Sequence, residues 1–297
     1  MNMKITPQCI PCILNVRLGE ILKSNLSEEE KIKAQKKLIK EYTRTINKGE
    51  STVKIATLAF RKVKKLTKDK DPYFDFKKKS YEASEALAKK LRREIKKLKG
   101  YKKFRTIMLA SVYANFLDPG APLGIGPEEI LKKIHEKKVA RDESRELYDY
   151  LTKVNDVTFI LDNAGEAIID LIFVEELTNF NVKLKIIAKG KPYQNDTTYE
   201  EAKKLGFGKY GKLISTNSDS VGLIGGMVPQ KVLDIINSSD LIIAKGMANF
   251  ESFTYERPKV PTFSLLVAKC EPVAKAANVK PGDAAMFFVV KPKFQKK

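Results

Sequence analysis

The sequence predicts an α/β protein, with a helical N-terminal region over 1–153 followed by a Rossmann-like, doubly wound, mostly parallel sheet over 154–297. Two observations predict it. Up to about Tyr150, apolar residues recur at helical spacing, three and four apart. After Lys153, short β-prone runs alternate with amphipathic segments. Such alternation builds parallel sheets, because each crossover helix returns the chain to the same edge of the sheet.

The elements follow in order. Leu14, Leu18, Ile21 and Leu22 mark a first helix, and Leu26-Ser27-Glu28-Glu29-Glu30 reads as a capped helix start with acids in its first turn. Tyr81 to Leu98 places Ala83, Ala86, Leu87, Leu91, Ile95 and Leu98 on one helical face. Phe104 to Phe116 is a further helix, Asp118 to Gly124 a turn cluster, and Glu128 to Leu151 more helix. Strands are expected at Val157–Leu161, Leu184–Ala188, Leu213–Ile214, Leu241–Ala244, Thr262–Val267 and Met286–Val290. Helices at Ala164–Leu177, Tyr199–Leu205 and Val232–Ile236 separate the earlier ones.

Composition narrows the function classes. No apolar stretch approaches the roughly 20 residues that span a bilayer, and Met1 to Gln8 lacks the hydrophobic run of a signal peptide. Three cysteines, Cys9, Cys12 and Cys270, argue against a secreted disulfide framework, so a cytoplasmic protein is expected. The net charge of +20 is uneven: 37 basic against 20 acidic residues over 1–153, and 19 against 16 thereafter. A basic half suits nucleic acid, anionic metabolites, or simply a solvated lysine-rich surface.

In open α/β sheets, ligands bind at the carboxyl ends of the strands. Four such ends here carry unusual polar residues. They are Asp162-Asn163, the stretch reaching Asn195-Asp196, the group Ser215, Asn217, Ser218 and Asp219, and Lys245 with Asn249. Asp162, Asn163 and Asp196 are hard oxygen donors of the kind Mg²⁺ or Mn²⁺ prefers. A lone histidine, His135, rules out a histidine-rich zinc site by count. Asp162-Asn163 reads equally as a turn and helix cap, and Lys245 as an ordinary strand-terminal lysine or a phosphate contact. Cys9 and Cys12 form a C-x-x-C pair that, with Cys270, suits packing, a second metal or redox chemistry.

Taken in order, Asp162-Asn163-Ala164-Gly165-Glu166, Lys191-Pro192 with Asn195-Asp196-Thr197-Thr198, and Lys245-Gly246 with Asn249-Phe250-Glu251 resemble the damage-control phosphatases. This metal-dependent family was once catalogued as domain of unknown function eighty-nine. Cys9-Ile10-Pro11-Cys12 and Ala268-Lys269-Cys270-Glu271-Pro272-Val273-Ala274 resemble its cysteine-bearing, largely prokaryotic subgroup, as do Asp71-Pro72-Tyr73, Lys77, Ser80, Asn115 and Asp118. Pro119, Thr197 and Glu271 depart from the pattern without removing a ligand. The resemblance implies that Asp162, Asn163 and Asp196 hold one divalent ion (Mg, Mn, Co or Ni) and that Lys245 contacts the phosphate.

The expected activity is hydrolysis of phosphomonoesters of small metabolites such as sugar phosphates, phosphopantetheine or damaged phosphometabolites. Asp162, Glu166 and Lys245 are the candidate catalytic groups. Asn115, Asp118, Asn217, Ser218, Lys245 and Asn249 are the candidate substrate contacts. A phosphoenzyme mechanism on a nucleophilic aspartate would call for an Asp-x-Asp arrangement, which is absent. The competing expectations are a nucleic-acid-binding protein using the basic helices, and a metal-dependent metabolite-binding protein without turnover.

Overall fold

Seven strands form one sheet in the order β1-β7-β6-β5-β2-β3-β4. They are β1 (Arg141–Asp142), β2 (Asp156–Ile160), β3 (Lys183–Ala188), β4 (Lys212–Ser215), β5 (Leu241–Lys245), β6 (Thr262–Val267) and β7 (Ala284–Val290). All neighbours pair in parallel except β6 with β7. The computed structural model describes residues 3–46, 51–116, 127–136 and 138–292. The Asp118–Gly124 turn cluster, and with it the expected substrate contact Asp118, lies outside the described residues.

The connections make the sheet doubly wound, as the alternation of elements predicts. From β2 the chain passes through α8 (Ala164–Leu177) to β3 and through α9 (Tyr199–Leu205) to β4. It then returns through α10 (Gln230–Asn237) to β5 on the other side of β2, and through α11 (Gly246–Tyr255) to β6. The winding direction reverses between β2 and β5, where the chain leaves a crevice beyond the strand ends. Buried strands explain the sequence pattern: all five β5 residues and all six of β6 are buried, hence continuous apolar runs rather than alternation.

Among the described residues, seven α-helices precede β2: α1 (Cys9–Leu22), α2 (Glu28–Ile46), α3 (Thr52–Thr67), α4 (Phe74–Ile95), α5 (Gly100–Tyr113), α6 (Pro127–Glu136) and α7 (Ser144–Leu151). The expected cap of α2 is present: Glu30 N donates to Ser27 Oγ at 3.3 Å, and Ser27 N donates to Glu30 Oε2 at 2.9 Å. α4 begins seven residues before the Tyr81 start that the pattern suggests, because its first buried positions, Lys77, Ser80 and Ser84, are polar. α3 carries no clear helical signature, since Thr52, Val53, Ile55, Thr57 and Val63 are β-branched. Its Ser51 cap and burial against α1 and α2 decide the matter. The expected helix over 128–151 is interrupted by β1, which adds to the sheet beside β7.

One core joins the two regions. Leu87, Leu91, Phe104, Ile107 and Val112 from α4 and α5 belong to the same buried cluster as Phe159, Phe173, Ile186 and Ile243. α4 and α5 pack on α8, and this brings α5 up behind the strand ends that carry the polar residues.

Candidate functional site

Asp162 and Asn163 follow β2 directly, and the backbone around Asp196 folds back onto them. Asn163 and Asp196 form an isolated antiparallel bridge, Ala164 N donates to Asn195 O at 2.7 Å, and Thr197 N donates to Asp162 O at 2.8 Å. Two residues distant in sequence are thereby locked side by side by main-chain bonds. Residues 190–197 are themselves supported from the helical layer. Arg17 and Glu20 of α1 pair at 2.8 Å, Arg17 Nη2 donates to the Tyr193 hydroxyl at 3.5 Å, and Tyr73 donates to Glu20 at 2.8 Å. Lys64 donates to Pro192 O and to Asp219 Oδ2, each at 2.9 Å.

The two carboxylates are buried together, and of the two only Asp196 has an ion-pair partner among the described residues. Asp162 is 7% exposed and Asp196 5%. Burial pushes the Asp162 carboxyl well above the usual carboxylate range, and the charges of Asp196 and Glu166 push it further. Asp196 is also raised by burial, despite Lys189 Nζ at 3.4 Å from its Oδ2. Asn163 donates its amide nitrogen to Asp162 Oδ2 at 2.8 Å and to Glu166 Oε1 at 2.7 Å. Only the nitrogen can meet two carboxylate oxygens, so the amide oxygen occupies the other end of the group. The Asn249 amide nitrogen donates to Leu161 O at 3.3 Å and Lys245 O at 2.8 Å, while its oxygen is buried without a partner.

This donor set fits a hard divalent cation. Two buried carboxylates, the Asn163 amide oxygen and the orphaned Asn249 amide oxygen offer oxygen ligands only. Asn163 is at once the N-cap residue of α8 and a member of this set, so the cap and ligand readings of the sequence do not compete. Gly246, directly after β5, completes the wall: a Cβ built there would fall 1.8 Å from Asp162 Oδ2.

Several expected site residues lie in a supporting layer instead. Lys245 is fully buried, with Nζ 2.6 Å from Glu166 Oε2, 3.0 Å from Asp170 Oδ1, and donating to Ser111 O at 2.6 Å. Its donors are taken up inside the fold by Glu166, Asp170 and Ser111, away from the crevice where a phosphate contact was expected. Glu166 is 1% exposed and accepts from Asn163, Asn115 and Lys245, so it is not placed to exchange protons with a ligand in the crevice. Asn115 spends its amide nitrogen on Glu166 at 2.7 Å and is buried, so it too belongs behind the site rather than against a substrate. The Ser218 hydroxyl donates to Met227 O at 2.6 Å and holds its own loop. Asn217 is exposed at φ +50°, beside Gly190, whose added Cβ would lie 2.4 Å from Asn217 Cα.

One residue that the strand-end reading passed over is Lys269. It follows β6, is exposed, and its charge bears favourably on the Asp162 carboxylate. Its signal in the sequence was the same as that of Lys245, a lysine closing an apolar run. Lys189, after β3, gave that signal too, but it caps Ser220 O at 2.8 Å and Val221 O and so braces the loop after β4.

Cys9 and Cys12 lie in the first turn of α1, and Cys270 is the N-cap residue of α12 (Glu271–Ala277). All three are free thiols. Burial pushes the Cys270 thiol up to about 11 and also raises Cys12. Among the described residues, no three His, Cys, Asp or Glu side chains gather as a ligand set, so the cysteines do not form a ready metal site. No described helix is long and apolar enough to cross a membrane.

Comparison with known proteins finds relatives over nearly the whole chain. The family model described as the damage-control phosphatase ARMT1-like domain matches residues 5–285. A protein of Methanocaldococcus jannaschii carried as uncharacterized is 33% identical over 95% of this chain and 94% of its own. A damage-control phosphatase of Pyrococcus horikoshii is 30% identical over 94% of this chain and 96% of its own. A damage-control phosphatase of Archaeoglobus fulgidus is 29% identical over 95% and 98%. The crystal structure of a DUF89 family protein from Pyrococcus horikoshii superposes with a TM-score of 0.85 at 27% identity, covering 96% of this chain and 98% of that one.

Proposed function

Since the chain belongs to the damage-control phosphatase ARMT1-like family, we propose that it is a divalent-metal-dependent phosphatase of small phosphorylated metabolites, damaged ones included. The observation that carries the reading is the pairing of Asp162 and Asp196, two buried carboxylates held together by main-chain bonds at the sheet's switch point, with one buried lysine, Lys189, ion-paired to Asp196. Such an arrangement is unfavourable for the protein alone and favourable with a cation between the groups.

Asp162, Asp196 and the Asn163 amide oxygen would hold the ion, and Asn249 lies within the same wall. When bound, the ion supplies Lewis acidity toward a phosphoryl oxygen and lowers the pKa of water. The protein's own groups do the rest. Lys269 is an exposed cation after β6 whose charge reaches Asp162, and it offsets charge on the phosphoryl oxygens as the ester bond breaks. An Asp162 or Asp196 oxygen not engaged by the ion accepts a proton from the attacking water and passes it to the departing ester oxygen, which leaves as the alcohol. The basic helical half draws anionic esters toward the crevice.

The test is a panel of phosphate esters assayed with Mg²⁺, Mn²⁺, Co²⁺ and Ni²⁺. Phosphate release from at least one class is expected, lost on chelation and in Asp162→Ala and Asp196→Ala. If the protein hydrolyses no phosphomonoester with any of the four metals, the reading fails.

A further inference from the structure

Glu166 and Asp170 stand one turn apart on the same face of α8, both buried, with their carboxylates toward β5. Like charges at this spacing repel. Between them sits Lys245 Nζ, 2.6 Å from Glu166 and 3.0 Å from Asp170. Ser111, in the last turn of α5, closes the arrangement from the helical layer. Its hydroxyl donates to Asp170 Oδ1 at 2.6 Å, and its oxygens accept from Lys245, the carbonyl at 2.6 Å and the hydroxyl at 2.9 Å. Glu166 is thereby held from behind, with Oε2 set on Lys245 Nζ and Oε1 turned toward N–H donors on the crevice side.

That constraint reaches the crevice. Glu166 Oε1 takes the Asn163 amide nitrogen at 2.7 Å, together with Asn115 Nδ2 at 2.7 Å and the Asn163 backbone N–H at 3.2 Å. With its nitrogen held between Glu166 and Asp162, the Asn163 amide cannot turn over without setting its oxygen against two carboxylates. We propose that Ser111, Asp170 and Lys245 are positioning residues: they fix Glu166, and through it the Asn163 amide, with the amide oxygen presented to the cation site. This rests on the reading of Asp162, Asn163 and Asp196 as the cation site. It gives α5 a part in the site without any contact with the ion or the substrate. Partners of this kind, one layer out, commonly tune metal affinity by 10–100-fold.

The experiment is Mn²⁺ binding by electron paramagnetic resonance and calorimetry, on the whole chain and without substrate. Lys245→Met should raise the Mn²⁺ dissociation constant about 10–100-fold, while KM at saturating Mn²⁺ changes little. Ser111→Ala should raise it several-fold and Ser111→Thr restore it. In an Asn163→Ala background, Lys245→Met and Ser111→Ala should cost no further affinity, a non-additivity that general loosening of the fold would not produce. Wild-type Mn²⁺ affinity in a folded Lys245→Met protein, with a raised KM, would overturn the inference and return Lys245 to phosphate binding. Should Lys245→Met fail to fold, an unchanged Mn²⁺ affinity in Ser111→Ala overturns it equally. Failure of the unaltered protein to bind Mn²⁺ would overturn the cation-site reading itself, and this inference with it.

Discussion

Gly246 lies against Asp162 so closely that a Cβ on it would fall 1.8 Å from Asp162 Oδ2 and 2.3 Å from its Cγ. Its backbone also has φ +76°, a region that disfavours side chains. Gly246→Ala therefore meets two penalties at one position, and the carboxylate cannot retreat because it is buried. The variant should lose about 1–3 kcal/mol of stability and most of its metal-dependent phosphatase activity. Urea unfolding and a Mn²⁺ titration of activity check both. A Gly246→Ala protein with wild-type Mn²⁺ dependence would show that Asp162 does not face the ion.

Asp162→Asn and Asp196→Asn should separate stability from function. Burial raises both carboxyls, the Glu166 charge adds to each and the Asp196 charge adds to Asp162, so the charged groups strain the metal-free protein. A neutral amide keeps the shape, and Asn at 162 can still accept from Asn163. Each variant should abolish activity while stabilising the metal-free protein by about 0.5–2 kcal/mol. Thermal melts in chelator give the second quantity. A lowered melting temperature in both would mean that the carboxylates are held by structural partners rather than awaiting a cation.

How much of this was legible in the sequence depends on the range of the determining contact. Strand ends were legible, because apolar runs such as Leu241–Ala244 break off at a polar residue, and the parallel sheet puts those ends on one edge. The doubly wound, mostly parallel class of the sheet was legible from the alternation, and the order of its strands was not. The direction of a side chain at such an end was not. Lys189, Lys245 and Lys269 each close an apolar run, yet Lys189 braces a loop, Lys245 turns inward to Glu166 and Asp170, and Lys269 stays exposed. The acidic pair on α8 did carry a signal, since two carboxylates four apart within Ala167, Ile169, Ile172 and Phe173 must share a buried cation. α3 escaped because its β-branched residues oppose the helix that packing imposes.

Lys269 and Lys245 make opposite predictions in kinetics. Lys269→Ala should raise KM for a phosphate ester and lower kcat/KM by about 10–100-fold, one lost charge contact being worth about 1.5–3 kcal/mol. Its Mn²⁺ affinity should move little, and the fold should be intact because the side chain is exposed. Inorganic phosphate should inhibit the variant more weakly than the unaltered protein. Unchanged inhibition by phosphate would remove Lys269 from the substrate site.

Glu251 offers a test of pH dependence outside the cation site. It stands on α11, and burial alone pushes its carboxyl from 4.5 up to about 7. A folded-state value above the unfolded one means that, between these two values, the native protein holds a proton that the unfolded chain has released. Stability from this group is then fully present below the unfolded value and is lost as pH rises toward about 7. Glu251→Gln removes the titration while keeping the shape. The variant should match the unaltered protein near pH 4.5 and exceed it by about 1–3 kcal/mol near pH 8. Urea unfolding in chelator at both pH values measures the difference, the chelator excluding the separate effect of metal on Asp162 and Asp196. Parallel stability curves for the two proteins would mean that Glu251 is solvated and ionised at neutral pH.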